Sequence, residues 1–381
     1  MEKLIKIVAI VTLCLFFTIQ QIDNLAFADN QSNFLSVTGP CNLEFPRDHG
    51  PHPGYRTEWW YYTGNLISEN GNHYGFQLTF FRSQISPPGT KKNWPRPSSA
   101  WRTQQIYLGH AAISDISGQQ HLQAECVSRE ALDMAGGDQK DGNTVIFIKD
   151  WSLRIGADHH FIKVTTANFA FELTSTFLKQ PVSHGDAGYS RKGSSPERAS
   201  CYYSLTRLKT KGFISKAGQT ELVEGLSWMD REFSTAALEP GFTGWDWFSL
   251  QLSDNTEIMI YLLRENDGGL SPLSSGTFVD AIGEARHLAN DDFNIEVLET
   301  WKSPKSNAVY PAKWRLQIFP LSIQLTIFPN LADQEMQTLK STGMTYWEGS
   351  VSLKGTKDGL AMIGQGYVEL TGYAGPFDAR M

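Results

Sequence analysis

The sequence predicts an all-β protein made of two antiparallel β-barrel domains in tandem, and three observations carry that reading. Apolar and polar residues alternate with period two in run after run: Tyr74, Phe76, Leu78 and Phe80 interleave with Gly75, Gln77 and Thr79, and Leu321, Ile323, Leu325 and Ile327 interleave with Ser322, Gln324 and Thr326. That period places one face of a strand on a core and the other outside it. The chain has 381 residues, long for one domain at roughly 150 residues each. Finally, the halves echo one another. Glu58-Trp59 opens a strand-turn-strand that ends at Arg82, and Asp246-Trp247 opens one that ends at Arg264; Tyr202-x-x-Leu205-Thr206 is repeated as Tyr367-x-x-Leu370-Thr371.

In chain order, residues 1–28 read as a signal peptide. Lys3 and Lys6 precede an apolar run from Ile7 to Ile19, and Ala26-Phe27-Ala28 offers the small-x-small cleavage pattern. The apolar run falls short of the ~20 residues a membrane span needs, so the expectation is cleavage near Ala28 and export to the periplasm or medium. Residues 29–50 form a polar leader, 51–232 the first barrel domain and 233–376 the second. Within the first, a Pro-rich stretch from Ser86 to Ser99 has the composition of a long surface loop. Strand-like runs resume at Ile106-Tyr107-Leu108, Val145 to Ile148, Phe161 to Val164 and Phe169 to Phe177, and helical periodicity shows only near Glu125 to Met134. A Gly/Ser-rich loop, His184 to Ser195, precedes the strand from Tyr202 to Leu208. The second domain repeats the manner, with Phe248, Leu250 and Leu252 alternating with polar neighbours and Ile258, Ile260 and Leu262 returning.

Composition excludes some functions. With 33 basic against 40 acidic residues and a net charge of −7, no basic face for nucleic acid is expected. Beyond residue 28 the chain keeps Cys41, Cys126 and Cys201, an odd number that allows at most one internal disulfide. No Cys or His spacing suits a metal, and no cofactor site is read. His159 and His160 are adjacent, so a strand points them to opposite faces; both read as surface residues.

Chemistry concentrates near the middle, in Gly225 to Ser234 and in Gly244-Trp245-Asp246-Trp247-Phe248. Asp246 shares a strand face with Phe248, Leu250 and Leu252, so an apolar interior there would raise its pKa, with Trp245 and Trp247 on the opposite face. Asp230 is the other candidate acid, with Trp228 on its face; Arg231 adjoins it, and Tyr261 on the returning strand could hydrogen-bond an acid or a water. The structural alternatives are ion pairs: Asp230 with Arg231 or Arg264, and Glu58 with Arg82 or Arg207.

The motifs His52-Pro53-x-Tyr55-x-x-Glu58-Trp59-Trp60-Tyr61-Tyr62-x-Gly64, Tyr202-Tyr203-Ser204-x-Thr206-Arg207, Trp228-Met229-Asp230, Gly244 to Phe248, Tyr346-Trp347-Glu348-Gly349 and Gly366 to Tyr373 resemble the AttH/CrtC family over nearly the whole mature chain. That resemblance implies two tandem lipocalin-like antiparallel β-barrel domains. The family includes carotenoid 1,2-hydratases (hydroxyneurosporene synthases), which add water to a terminal double bond of an acyclic carotenoid; related fungal proteins shape cycloadditions, and many bacterial members are encoded near ABC-transporter permeases. In the hydratase pattern His and Trp stand where this chain has Arg231 and Phe233, and an acid stands where it has Leu263. Arginine stays charged and cannot replace His in acid–base work.

Two functions follow as expectations. One is an exported lipocalin-like protein that binds an extended apolar ligand (lipid or isoprenoid), linked to an ABC-transporter-type membrane complex, with Trp228, Trp245, Trp247, Glu58, Trp59, Trp60 and Phe233 as ligand-binding residues. The other is a carotenoid 1,2-hydratase-like lyase that adds water to an isolated C=C by acid catalysis, with Asp230, Asp246, Tyr261 and Arg231 as catalytic residues. Protonating an alkene needs a neutral buried acid, aromatic faces for the cation and a placed water. A filled scaffold without a ligand is the third possibility.

Overall fold

A computed structural model describes residues 33–236 and 238–375. The expected signal peptide, residues 1–28 with its cleavage point near Ala28, lies outside the described residues, as do residues 29–32 of the leader. The rest is almost entirely strand, in two antiparallel sheets.

The first sheet has thirteen strands. Its spatial order is Gln120–Arg129, Gln105–Asp115, His73–Gln84, Thr57–Ser68, Gln219–Ser234, Ala199–Lys216, Phe169–Phe177, His159–Thr165, Trp151–Ile155, Asn143–Ile148 and Ala135–Lys140, with Val182–Ser183 and Tyr189–Arg191 paired beside Ala199–Lys216. The two end strands approach each other, so the sheet nearly closes into a barrel. The second sheet has ten strands, in the order Ala285–Leu288, Ser275–Val279, Glu257–Glu265, Phe242–Leu252, Leu360–Leu370, Met344–Lys357, Ile323–Pro329, Val309–Ile318 and Phe293–Lys302, with Glu335–Thr338 paired on Met344–Lys357.

Period-two alternation fills both interiors. Tyr62, Phe76, Leu78, Phe80, Ile146, Leu173 and Leu205 pack inside the first barrel, and Phe248, Leu250, Trp314, Leu316, Leu325 and Val351 inside the second. The outer face of His73–Gln84 is buried as well, because the second barrel lies against it. Gly75 permits that approach: a Cβ there would stand 2.7 Å from Ser350 Cβ and 2.8 Å from the Tyr367 hydroxyl, far inside van der Waals contact.

Polar groups lock the two barrels together. Buried Glu257 accepts hydrogen bonds from Arg207 and from Lys179 Nζ (2.8 Å), while Gln251 Nε2 donates to the carbonyls of Thr206 (2.8 Å) and Ser227 (3.0 Å). A second tie runs through His110, whose ring nitrogens lie 2.9 Å from the Tyr346 hydroxyl and 2.9 Å from Ser341 Oγ; Ser341 in turn donates to Glu125 at 2.5 Å. A disulfide joins Cys41 to Cys201 and pins the leader to the first barrel, leaving Cys126 as the free thiol among the described cysteines.

Inside the first barrel Glu58 is fully buried and takes hydrogen bonds from both Arg82 and Arg231. Burial by itself would raise its pKa, but the Arg231 and Arg82 guanidiniums hold it well below the usual carboxylate range. Arg82 also donates to the carbonyls of His52 (2.8 Å) and Tyr55 (3.0 Å), and Arg231 donates to Gly50 O (2.7 Å) and lies 3.9 Å over the Trp60 ring. The cluster therefore fastens residues 50–56 across the barrel mouth. The internal echo appears here: Asp246 and Arg264 form the matching pair in the second barrel at 2.9 Å, with Arg264 stacked 3.8 Å from the Tyr373 ring centroid. The other echo is not equivalent, since Tyr202 lies two strands away from Thr57–Ser68 whereas Tyr367 lies on the strand next to Phe242–Leu252.

Two expectations are corrected. The stretch near Glu125 to Met134 is not helical: Gln120–Arg129 pairs in unbroken register with Gln105–Asp115 before a turn, and ladder pairing outweighs local propensity. His160 is not a surface residue, because the barrel closes over it; it is fully buried with Nδ1 2.6 Å from the Tyr62 hydroxyl, and burial lowers its pKa well below the ordinary value.

Replacing Glu58 by Ala would strand two buried guanidiniums, a loss of about 3–5 kcal/mol for a broken buried pair. Urea unfolding of Glu58→Ala should show that loss; a midpoint equal to wild type would contradict the structural role.

Candidate functional site between the barrels

Strand alternation decides which residues of the central stretch can meet. On Gln219–Ser234, Met229 and Arg231 point into the first barrel, whereas Trp228, Asp230, Glu232 and Ser234 face the second. On Phe242–Leu252, Phe248, Leu250 and Leu252 fill the second barrel, and Trp245 and Trp247 face the first. A cavity of about 210 Å³ lies between these outer faces. Trp59, Tyr61, Phe81, Trp245, Trp247 and Tyr261 give it aromatic walls, Leu238, Leu263 and Met344 add apolar surface, and Arg56, Asp230, Glu232, Lys192 and Glu369 bring charge.

The sequence-predicted residues separate accordingly. Asp230, Tyr261, Trp59, Trp245 and Trp247 line the cavity, and Trp228 stands behind Asp230 with its indole N–H on the carboxylate at 2.6 Å. Arg231, Glu58, Trp60 and Phe233 are not at the cavity. The first three form the interior cluster just described, and Phe233 stacks on His52 with ring centroids 3.7 Å apart. Asp246 is also elsewhere, held by Arg264 and by the Tyr373 hydroxyl at 2.9 Å. Neither Arg231 nor Arg264 pairs with Asp230; the one takes Glu58 and the other Asp246. Arg207 takes Glu257, so Glu58 relies on Arg82 and Arg231 instead.

Asp230 is held by neutral donors. Tyr202 Oη donates to Oδ2 at 2.8 Å, and Ser204 Oγ and Trp228 Nε1 donate to Oδ1. Trp247 Nε1 backs Tyr202 at 3.0 Å, and His184 Nε2 lies 2.6 Å from Ser204 Oγ. Burial disfavours the charged form and outweighs these hydrogen bonds, so the Asp230 carboxyl is pushed up to about 7. Two residues along, Glu232 accepts from Ser200 and faces Lys192 Nζ at 3.3 Å. Lys192 is half-buried, which opposes its charge, yet Glu232 raises its pKa; its ammonium stands 4.4 Å from the Tyr261 ring centroid. On the opposite wall burial pushes Glu369 up to about 7 despite a hydrogen bond from Trp245 Nε1 at 3.0 Å.

Sequence reasoning missed Tyr202, Ser204, Lys192, Glu232 and Glu369. Glu232 had a usable signal, since it lies two residues from Asp230 and shares its strand face. Tyr202, Ser204 and Glu369 stood inside motifs quoted for the family resemblance without a chemical role. Lys192 arrives on a loop, and no pattern announces where a loop delivers its side chain.

The Asp230 pKa carries a pH signature. Its folded value lies above the unfolded one, so the charged form costs the folded state stability; that cost is absent below about pH 4, accumulates as pH rises, and is complete above about 7. Wild type should lose stability relative to Asp230→Asn between pH 4 and 8 in parallel denaturant titrations. Identical pH profiles for the two proteins would contradict the shift.

The AttH-like family profile matches residues 36–373. An AttH protein structure from Nitrosomonas europaea is 32% identical and superposes with a TM-score of 0.78 over 89% of this chain and 100% of its own. Kievitone hydratase from Nectria haematococca shares the fold at 16% identity and a TM-score of 0.68, covering 90% of this chain and 98% of its own. CghA does so at 13% identity and a TM-score of 0.56, over 90% and 97%. No curated protein matches the chain. With two antiparallel barrels, a profile spanning nearly all the described residues and a relative matched along its full length, the chain belongs to the AttH-like family.

Proposed function

We propose that the protein is a hydratase-type lyase that adds water to a carbon–carbon double bond of an apolar small molecule held between the barrels. The observation that carries this reading is Asp230, a buried carboxyl with a pKa near 7 set in a largely aromatic cavity. A general acid works best when its pKa lies near the working pH. Asp230 gives its proton to the double bond, and the tertiary carbocation that forms is stabilised by the faces of Trp59, Trp245, Trp247 and Tyr261. Water adds to the cation and yields its proton to Glu232. Adjacent same-face positions on a strand are about 6.5 Å apart, which leaves room for a water between Asp230 and Glu232. A proton returning from Glu232 to Asp230 through solvent restores the starting state.

Kievitone hydratase, named for a hydration, shares the fold, which favours this reading over a carrier for a transport complex. The apolar walls serve either role, but a carrier has no need of a carboxyl poised to titrate at neutral pH. Leu263 lines the cavity where the hydratase pattern places an acid, so here the proton donor is Asp230. We also propose export, the role expected of residues 1–28; the Cys41–Cys201 disulfide suits an oxidising compartment.

The test is incubation of the full chain with terminally unsaturated isoprenoids, followed by mass spectrometry. A product heavier by one water should appear and fall at least about 100-fold with Asp230→Asn, the scale of a lost general acid. Equal hydration by both proteins would remove Asp230 from the chemistry, and retention of unchanged lipid by both would favour the binding protein.

A further inference from the structure

Hydrogen-bonding capacity is distributed unevenly around the cavity. On the first-barrel wall the carboxylates are partnered: Asp230 has three donors, and Glu232 has Ser200 and Lys192. The second-barrel wall differs. Glu348 on Met344–Lys357 and Glu369 on Leu360–Leu370 are direct register partners, and directly opposed residues of an antiparallel pair share a face with Cβ atoms about 5 Å apart. Glu348 is 2% exposed, and its Oε1 has no hydrogen-bond partner. The hydroxyl of Tyr61, a cavity-lining residue only 6% exposed, faces that carboxyl without closing a hydrogen bond on it.

Glu348 is buried and Glu369 half-buried, and a like charge this close disfavours ionising both, so the pair favours keeping one proton. Burial raises both members, and each raises or is raised by the negative charge around it: Glu348 by Glu369, and Glu369 by Asp230 and Glu232. Trp245 Nε1 donates to Glu369 from Phe242–Leu252, while the Tyr61 and Tyr346 hydroxyls flank Glu348. This end of the cavity thus offers carboxylate acceptors beside hydroxyl donors. A pure hydrocarbon would cover these groups and leave them unpaired, at the cost of desolvated polar atoms. An ammonium group could satisfy the acceptors but gives nothing for the tyrosine and the protonated carboxyl to donate to. A hydroxyl is donor and acceptor at once.

Resting on the reading of the cavity as the ligand site, we propose that its ligand is an apolar molecule bearing a hydroxyl group, which docks against Glu369 and Tyr61, with Glu348 behind them, while the hydrocarbon body lies along Trp59, Trp245 and Trp247. The head group is thereby anchored on the second barrel, and the far part of the body is presented to Asp230 on the first.

The experiment uses tryptophan fluorescence of the full chain, titrated with three probes of one hydrocarbon skeleton: geraniol, geranyl methyl ether and geranylamine. Geraniol should bind about tenfold more tightly than the ether, the scale of one hydrogen bond to a charged group. Tyr61→Phe and Glu369→Gln should each shrink that preference, with near-ultraviolet circular dichroism checking the fold. The wild-type comparison decides the claim even where a variant fails to fold. Equal affinity for alcohol and ether overturns the head-group site and leaves the apolar ligand site standing. Tightest binding of the amine, rising with pH, overturns the hydroxyl in favour of a cation. Binding of none of the three removes both the head-group site and the reading of the cavity on which it rests.

Discussion

A β-strand must put successive side chains on opposite faces, and in this protein both faces of the central strands are covered. The barrel interiors take one set of residues and the contact between the barrels takes the other. Asp230 and Arg231 are neighbours in sequence but belong to different compartments, the one in a cavity between the domains and the other paired with Glu58 inside a barrel. The same rule separates Asp246 from Trp247 and Glu348 from Trp347. The site exists because two outer faces, largely apolar and each carrying a few acids, were brought together.

That packing explains why the acids behave as they do. On a single solvated barrel Asp230, Glu348 and Glu369 would be surface carboxylates. Against a second barrel they lose water, and the hydrogen bonds given for Asp230 and Glu369 come from neutral groups, while Lys192 stands beside Glu232. The arginines are used for structure: Arg82 and Arg231 on Glu58, Arg264 on Asp246, Arg207 on Glu257. Charges that hold the fold are matched by guanidiniums, and charges left at the cavity are matched by neutral hydroxyls and indoles. Neutral donors can bind either protonation state, which keeps the cavity acids able to titrate.

The fold was legible in the sequence because period-two alternation and the Glu58-Trp59 and Asp246-Trp247 echo are local signals. The site was legible in part. Asp230, Trp245, Trp247 and Tyr261 reached the cavity because face and type could be read from their strands. Arg231 and Phe233 did not, since they sit one residue out of phase with Asp230 and face away from the second barrel. Asp246 was correctly placed on an apolar face, but whether that face was an interior or a binding surface depended on how the barrels pack, and no local pattern carries that. His160 shows the same limit: alternation put it opposite His159 but could not say that a barrel would close over it. Lys192 and the Glu348–Glu369 pair depend on a loop path and on strand register, both settled by tertiary structure.

The central claim is that ligand binds between the barrels and not within one. Photo-crosslinking with an apolar diazirine probe, mapped by peptide mass spectrometry, tests it most directly. The account predicts labels on Trp59, Leu238, Leu263 and Met344, all at the inter-barrel cavity. Labels concentrated on Ile146 and Leu173, or on Trp314 and Leu325, would place the ligand inside a barrel and contradict it.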